Sequence, residues 1–210
     1  MKSNRADINL IHGDSLEAMK GMKDNSFDWA IVDPPYGIGI AKWDTKLHKP
    51  KKEFFIELFR VSKNQIIFGA NYFHLPHSES WICWHKTAGF SKRAFDGASD
   101  FELAWVSTKG KARYLPLTSS GNIIGIKGAK PDYYYKPIHP TQKPVKLYLW
   151  LLENYTNEGD NILDTHLGSG SIAIACHELK RNLTGYEIDE EYFLAAKKRF
   201  ETRIKQQMLF

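Results

Sequence analysis

The run Phe27-Asp28-Trp29-Ala30-Ile31-Val32-Asp33-Pro34-Pro35-Tyr36 sets the fold class of this 210-residue chain. Its first six residues are of the kind that form a strand buried on both faces of a parallel sheet. Two consecutive prolines follow. They lack backbone N–H donors and hold φ at about −65°, so the strand stops there. In an open α/β sheet, whatever follows a strand's carboxyl end lies over the ligand crevice. Asp33, a stiff turn and the ring of Tyr36 are therefore presented together where such folds do chemistry. The set suits a planar substrate bearing an NH2 group, with Asp33 accepting hydrogen bonds and Tyr36 covering the ring face. The same four residues also fit a plain strand-ending turn, in which Asp33 caps a helix and Tyr36 packs.

Upstream, Ile8 to Ile11 reads as a short strand ending at Gly13-Asp14. Asp14 or Ser15 is placed to N-cap a helix from Leu16 to Met22. Downstream, Ala41 to Pro50 reads as a basic loop, a lid or clamp beside the site or else an ordinary surface loop. Lys51 to Ser62 carries Phe54, Leu58 and Val61 at helical spacing, with Phe55 and Phe59 widening the stripe. Strands are expected at Gln65–Phe68, Trp81–Trp84 and Phe101–Ser107. Pro144 suits the first turn of a helix whose apolar face is Val145, Leu149 and Leu152, with Tyr148 beside it. A last helix, N-capped by Asp189, buries Phe193, Ala196, Phe200 and Ile204.

A second constellation lies near the C-terminal end. Asn161–Asp164 reads as a strand, followed by Thr165-His166-Leu167-Gly168-Ser169-Gly170-Ser171, a helix, and the strand Leu183–Glu187. Strand, Gly-x-Gly, helix, strand, acid is the βαβ nucleotide-binding arrangement, with Ala173 in the third position. Glu187, roughly 20 residues beyond the glycines, is placed to accept ribose hydroxyls. Asp164 puts a negative charge where a dinucleotide would carry its pyrophosphate. That acid repels phosphate but suits an ammonium group, which favours S-adenosylmethionine over NAD.

Between Lys86 and Pro140 the composition turns to Gly, Ser, Lys, Arg and Tyr, with little helical periodicity. Lys86, Lys92, Arg93, Lys109, Lys111 and Arg113 are interleaved with Phe90, Phe95, Tyr114 and Tyr133–Tyr135. Basic side chains pair with phosphates and aromatic rings stack on bases, so this stretch reads as a DNA-contacting insert or as a solvated irregular one. The whole chain is mildly basic, with formal net charge +5 and pI about 9.0, which favours an acidic partner. A hydrophobic share of 42% is enough for one core, so a single domain is expected over residues 1–210 with its insert at about 86–138. Cys83 and Cys176 are far apart and belong to no metal-spaced cluster, so no metal is expected and a reduced, cytoplasmic location is. No apolar run is long enough to span a bilayer.

Three ordered blocks, Asp33–Tyr36, His139–Pro144, and Asp164–Ser171 followed by Gly185-Tyr186-Glu187, resemble the DNA amino-methyltransferases. Their order, with Asp-Pro-Pro-Tyr ahead of the glycines, is similar to the β class of adenine-N6 and cytosine-N4 enzymes. The resemblance implies an α/β, Rossmann-like S-adenosylmethionine-dependent methyltransferase fold. It implies a mostly parallel, seven-stranded sheet in circularly permuted order, and a target base flipped out of double-stranded DNA. By it, Asp33 and the Pro34 carbonyl hold the amino group, Pro35 completes the motif and Tyr36 stacks on the base. Asp164, Gly168, Ser169 and Gly170 line the cofactor's methionine part, Glu187 its ribose and Asp14 its adenine, while Thr141 and Lys143 close over it. The family usually has Phe at the position of His166, whose imidazole can pack against the cofactor in its place. The recognition region is short, which points to a small contact set, a homodimer or a helper; a restriction endonuclease partner stays open.

Adenine-N6 transfer is the expected activity, because Asp at the first motif position leans to adenine and cytosine-N4 enzymes more often carry Ser. Cytosine-N4 transfer is the alternative. A non-catalytic DNA-binding protein of the same fold is the second, and it would need lost catalytic or cofactor residues.

Overall fold

The structure, a computed structural model, describes residues 6–39, 44–86, 99–120, 123–125, 138–139 and 141–207. In chain order its elements are β1 (Ile8–His12), α1 (Ser15–Lys20), β2 (Phe27–Val32), α2 (Lys52–Val61), β3 (Ser62–Phe68) and a 3-10 turn (Ala70–Tyr72). Then come β4 (Trp81–His85), β5 (Phe101–Val106), β6 (Arg113–Pro116), β7 (Thr118–Ser120) and β8 (Ile123–Gly125). The last third holds α3 (Val145–Tyr155), β9 (Asn161–Asp164), α4 (Ser171–Glu178), β10 (Asn182–Glu187) and α5 (Glu190–Gln207).

Among the described residues, eight strands form one sheet in the order β1-β10-β9-β2-β3-β5-β4-β6, and β7 and β8 form a separate antiparallel pair. β1, β10, β9, β2 and β3 are parallel neighbours. β5 pairs antiparallel with both β3 and β4, and β6 is parallel to β4. Of the eight, only β5 runs against the rest.

The alternation along β2 explains the layering. Trp29 and Ile31 join a core with Leu147, Leu151, Ile172 and Ala196, from α3, α4 and α5. Ala30 and Val32 point the other way, into a core with Met19, Phe54 and Leu58 from α1 and α2. Helices thus cover both faces, as a buried parallel sheet requires. β2 and β9 are neighbours, with Ala30 opposite Leu163. From β2 the chain passes over one face through α2, and from β9 over the other through α4. The carboxyl ends of β2 and β9 therefore flank the crevice where the winding reverses, the preferred ligand position in open α/β sheets.

Three expectations change. The sheet has eight strands rather than seven, because β6 adds at its edge beside β4. Its residues Arg-Tyr-Leu-Pro show no apolar alternation, so the strand rests on backbone pairing and left no periodic trace. The segment from 86 to 140, expected to hold one strand, also contains β7 and β8. On α3 the buried residues are Leu147, Tyr148, Leu151 and Leu152. Leu152 and Tyr148 are where the reading put them, Leu147 and Leu151 were not expected, and Val145 and Leu149 are only partly buried against the core. Every position from 147 to 152 is apolar or aromatic, so spacing alone selects no face. The caps and the α2 stripe agree with the reading: Asp14 accepts from the N–H of Leu16 and Glu17, Asp189 accepts from Tyr192, and Phe54, Leu58 and Val61 are buried.

Candidate active site

A cavity of about 450 Å³ opens at the carboxyl ends of β1, β2, β9 and β10. That volume lies in the range of small-molecule sites. The loops after those strands form its walls, together with the turn 47–51, Phe54 of α2, His139 and residues 141–143. Of the residues singled out from the sequence, Asp14, Asp33, Pro35, Thr141, Lys143, His166, Gly168, Ser169 and Glu187 line it. Pro34, Tyr36, Asp164 and Gly170 are not part of the lining.

Asp33 lies where β2 ends, and both carboxylate oxygens have donors. The Tyr36 hydroxyl donates to Oδ1 at 2.5 Å, and the Lys143 ammonium sits on Oδ2. Lys143 is buried, lies 4.8 Å from the centre of the Phe68 ring, and reaches Glu102 Oε2 at 3.3 Å. Glu102 in turn takes Lys86 Nζ on Oε1 at 2.9 Å. Charges therefore alternate from Lys86 through Glu102 and Lys143 to Asp33. Burial pushes Asp33 above its ordinary value, with Lys143 pulling against it and Glu102 pushing with it. Burial also acts upward on Glu102, but its two lysines win and hold it low. Lys143, flanked by two carboxylates, is raised against the desolvation that would neutralise it. Tyr36, buried beside Asp33, is raised well above 10.0 and stays a neutral donor. Its ring stacks on Tyr72 with centroids 5.1 Å apart and meets Phe73 edge-on at 6.2 Å.

On the glycine-loop side, Glu187 accepts from Gly168 N–H at 2.7 Å on Oε2 and from Asp189 N–H at 3.0 Å on Oε1. These bonds fix the acid at the end of β10 and face it into the cavity. Asp164 is buried just behind the lining and accepts from His166 N–H at 3.0 Å. Burial pushes its carboxyl up to about 7. His166 packs edge-on against Phe54 at 5.5 Å and bonds the Thr165 hydroxyl through Nδ1 at 2.9 Å. Burial drops its imidazole to about 4, so it is neutral at pH 7. Ser169 Oγ is within 3.1 Å of Ser171 Oγ, and Thr141 Oγ1 is 3.1 Å from His139 Nδ1. Gly170, read as a place of close backbone approach to ligand, has φ +70° and faces α5: a Cβ there would meet Ala196 Cβ at 3.2 Å. Its work is helix packing rather than lining.

The basic residues divide by position. Lys86, read as a phosphate contact, is turned inward onto Glu102 and also bonds Ser99 Oγ at 3.2 Å. Lys109, Lys111 and Arg113 are exposed, but they follow the end of β5. Because β5 is antiparallel to β3, its start lies on the side of Asp33 and its end at the opposite, amino-terminal end of the parallel strands. Arg113 pairs with Ile82 at the beginning of β4, which agrees. The structure thus places these three on the side away from the cavity. Lys92, Arg93, Phe90, Phe95, Tyr133–Tyr135, Ala41 and Trp43 lie outside the described residues. Within the turn 44–50, buried Asp44 accepts from Gly37 N–H at 2.7 Å and Ile38 N–H at 3.2 Å, tying the turn to the Asp-Pro-Pro-Tyr segment.

Sequence reasoning missed Glu102, Phe54 as a cavity wall, and the pair His139–Tyr192, whose rings meet at 4.4 Å. Phe54 carried a signal, its place in the α2 stripe, but that signal spoke for core. Glu102 carried only its position near a strand start.

A family model described as DNA methylase, of the N6/N4 type, matches residues 27–198. The chain belongs to this family. Type II methyltransferase M.HpaI of Haemophilus parainfluenzae is 29% identical over 93% of this chain and 75% of its own length. The crystal structure of the M1.HpyAVI–SAM complex superposes with a TM-score of 0.59 at 25% identity, covering 91% of this chain and 98% of that one. The cytosine-N4-specific PvuII DNA methyltransferase shares the fold, with a TM-score of 0.60 at 14% identity over 93% of this chain and 87% of that one. Among the described residues, no helix of this methylase is long and apolar enough to cross a membrane.

Proposed function

We propose that this DNA methylase transfers a methyl group from S-adenosylmethionine to N6 of an adenine flipped out of duplex DNA. The observation that carries the reading is the place of Asp33 on the cavity wall, across the β2/β9 crevice from the glycine loop and Glu187. One pocket thereby joins an acceptor for an amino group to a cradle for a nucleoside.

The residues fit the cofactor. Glu187, fixed by two backbone N–H groups, keeps lone pairs for ribose hydroxyls. Asp164, raised by burial, is the acid that an ammonium would relieve. Neutral His166 and Phe54 supply apolar wall, and Asp14 lies at the end of the cavity near β1. When bound, S-adenosylmethionine supplies an electrophilic methyl on sulfur.

The chain's own residues do the rest. The lone pair of an exocyclic amine is delocalised into its ring, which makes it a poor nucleophile. Hydrogen bonds from its two protons to Asp33 and to the Pro34 carbonyl favour a tetrahedral nitrogen whose lone pair points at the methyl. Lys143 and Tyr36 hold the Asp33 carboxylate in one orientation, so that positioning supplies much of the acceleration. A base taken from its stack costs a few kcal/mol. Tyr36, its ring packed on Tyr72 and its hydroxyl on Asp33, serves the acceptor carboxylate rather than the ring face of the base. As the new bond forms, a proton leaves nitrogen for Asp33, whose basicity burial has raised.

The test is incubation of purified protein with tritiated S-adenosylmethionine and mixed-sequence duplex DNA, followed by nucleoside mass spectrometry. N6-methyladenine is expected. N4-methylcytosine would transfer the reading to the other branch of the family, and unlabelled DNA with cofactor binding intact would remove it. Asp33→Ala is expected to abolish transfer and leave cofactor affinity within a few-fold.

A further inference from the structure

Glu102 is not needed to neutralise Lys143, because Asp33 already does so. Yet it comes from a different part of the sheet to reach the same ammonium. Gly69 N–H bonds Leu103 O at 2.9 Å and Phe68 pairs with Ala104, which brings the start of β5 alongside the Asp33 turn. Glu102 is directed there with Oε1 on Lys86 at 2.9 Å and Oε2 3.3 Å from Lys143 Nζ. Oε2 is buried and makes no hydrogen bond of good geometry; what it has is the nearby ammonium. Buried acceptors seldom go without a hydrogen bond, and a buried ion triad is often less stable than apolar residues of its volume. An acid kept under those terms calls for a use.

Turnover supplies one. Before transfer Asp33 is an anion and balances Lys143. On transfer an N–H bond of the amine breaks, an O–H bond forms on Asp33, and the carboxylate becomes neutral. The proton leaves later to water. For that interval Lys143 would be a buried ammonium facing a neutral acid, with every reason to swing away or lose its own proton. Glu102 does not change charge in the reaction.

We propose that Glu102 is a positioning residue for methyl transfer, holding the Lys143 ammonium against Asp33 while Asp33 passes from anion to acid and back. This rests on the function proposed above. The groups facing the pair come from several elements. Asp33 and Tyr36 follow β2, Lys86 follows β4, His139 precedes α3, Tyr148 lies on α3, and Asp164 ends β9. Of these, Lys143 feels Asp33 and Glu102 as its raising partners. Removing the charge of Glu102 therefore lowers the pH at which Lys143 deprotonates. It also lowers Asp33, which Glu102 pushes up.

The experiment compares wild type, Glu102→Gln and Glu102→Asp in single-turnover methyl transfer from about pH 5.5 to about pH 11.5, a range that extends past the ordinary 10.5 of the lysine, with lysine-15Nζ NMR of the cofactor-free protein. In Glu102→Gln the transfer rate is expected to fall about tenfold or more, with the Kd for S-adenosylmethionine within about twofold. Both limbs of its pH profile should move to lower pH, the alkaline one by about one unit. The Lys143 ammonium signal should titrate earlier by the same amount. Glu102→Asp should recover at least half of that displacement. A glutamine variant with the wild-type profile and the wild-type Lys143 titration overturns the inference, as does a slower variant whose limbs have not moved. Should Glu102→Gln fail to fold, Glu102→Met, of similar volume, carries the same comparison. If wild type labels no DNA, the proposed function falls while the NMR titration still decides whether Glu102 governs Lys143.

Discussion

Gly69 lies directly beneath the ring of Tyr36: a Cβ built on Gly69 would collide with ring atoms Cδ1, Cε1 and Cζ. Gly69 also has φ +63°, a left-handed conformation that costs an L residue about 1 kcal/mol. The bare backbone lets Tyr36 settle between Gly69 and Tyr72 with its hydroxyl on Asp33. Gly69→Ala must therefore displace the ring. A shift of about 1 Å near reacting groups can cost on the order of 100-fold in rate. We expect kcat to fall 10- to 100-fold, with affinity for S-adenosylmethionine unchanged within about twofold. An alanine variant with wild-type kcat would mean that the Tyr36 ring position does not matter to transfer.

Lys143→Met tests the ion pair itself. It leaves Asp33 and Glu102 facing one another without the ammonium between them, and both are largely buried. Breaking a buried pair on one side costs about 3–5 kcal/mol. For a domain of this size that is roughly 10 °C or more in Tm. The pH dependence has a sign. Without Lys143 the Asp33 carboxyl, already raised by burial, rises further, while Glu102 loses one of the two lysines that hold it low. The folded variant therefore binds a proton at Asp33 more tightly than its unfolded chain does and regains stability as pH falls. The Tm gap between wild type and variant should narrow from pH 8 to pH 5. A gap independent of pH would show that Lys143 contributes packing rather than charge.

How far the site could be read from sequence depends on direction and separation. Asp33 and Glu187 were legible because each ends a strand that its own neighbours define: two prolines in one case, a Gly-x-Gly loop upstream in the other. The tie between Lys143 and Asp33 spans 110 residues. It is set by the β2/β9 adjacency and the place of residues 141–143 ahead of α3, which no local pattern encodes. Lys86, Lys109, Lys111 and Arg113 look alike in a basic, aromatic stretch. Lys86 follows β4, which runs with the parallel strands and ends on the site's side, whereas Lys109, Lys111 and Arg113 follow β5, whose reversed direction ends at the opposite end of the sheet. The same reversal brings Glu102 to Lys143, so the direction of one antiparallel strand sets the place of both the three basic residues and the missed acid.

Asp164 gives cofactor binding a pH dependence. Its carboxyl is raised to about 7 by burial, so near neutrality it is partly protonated. An incoming ammonium prefers the anion, and binding then expels the proton. Affinity should rise as pH rises through 7. The comparison is best made below about pH 7.7, where the cofactor's own α-amine stays protonated. Calorimetry should give a Kd severalfold weaker at pH 6 than at pH 7.5, with proton release that scales with buffer ionisation enthalpy. Asp164→Asn should bind weakly and without this slope. A wild-type Kd flat across that range would take Asp164 out of the cofactor site.

His166→Phe is expected to exchange stability at neutral pH for stability in acid. The imidazole is held at about 4, first by burial, with Asp14 opposing weakly. An unfolded histidine titrates near its ordinary 6.5, so protons bind the unfolded chain first as pH falls. The stability linked to this group is present above about pH 6.5 and is lost as pH falls through about 4, a span worth roughly 3 kcal/mol. His139, also held at about 4, adds a loss of the same sign that the variant keeps. Phenylalanine retains the edge-on contact with Phe54 but leaves the Thr165 hydroxyl without its Nδ1 partner, which costs about 1 kcal/mol. Urea midpoints should therefore cross: the variant slightly below wild type at pH 7.5 and above it at pH 4.5. Its affinity for S-adenosylmethionine should stay within a few-fold, because an aromatic wall remains. Parallel curves with no crossing would show that His166 is already protonated in the folded protein at mildly acidic pH.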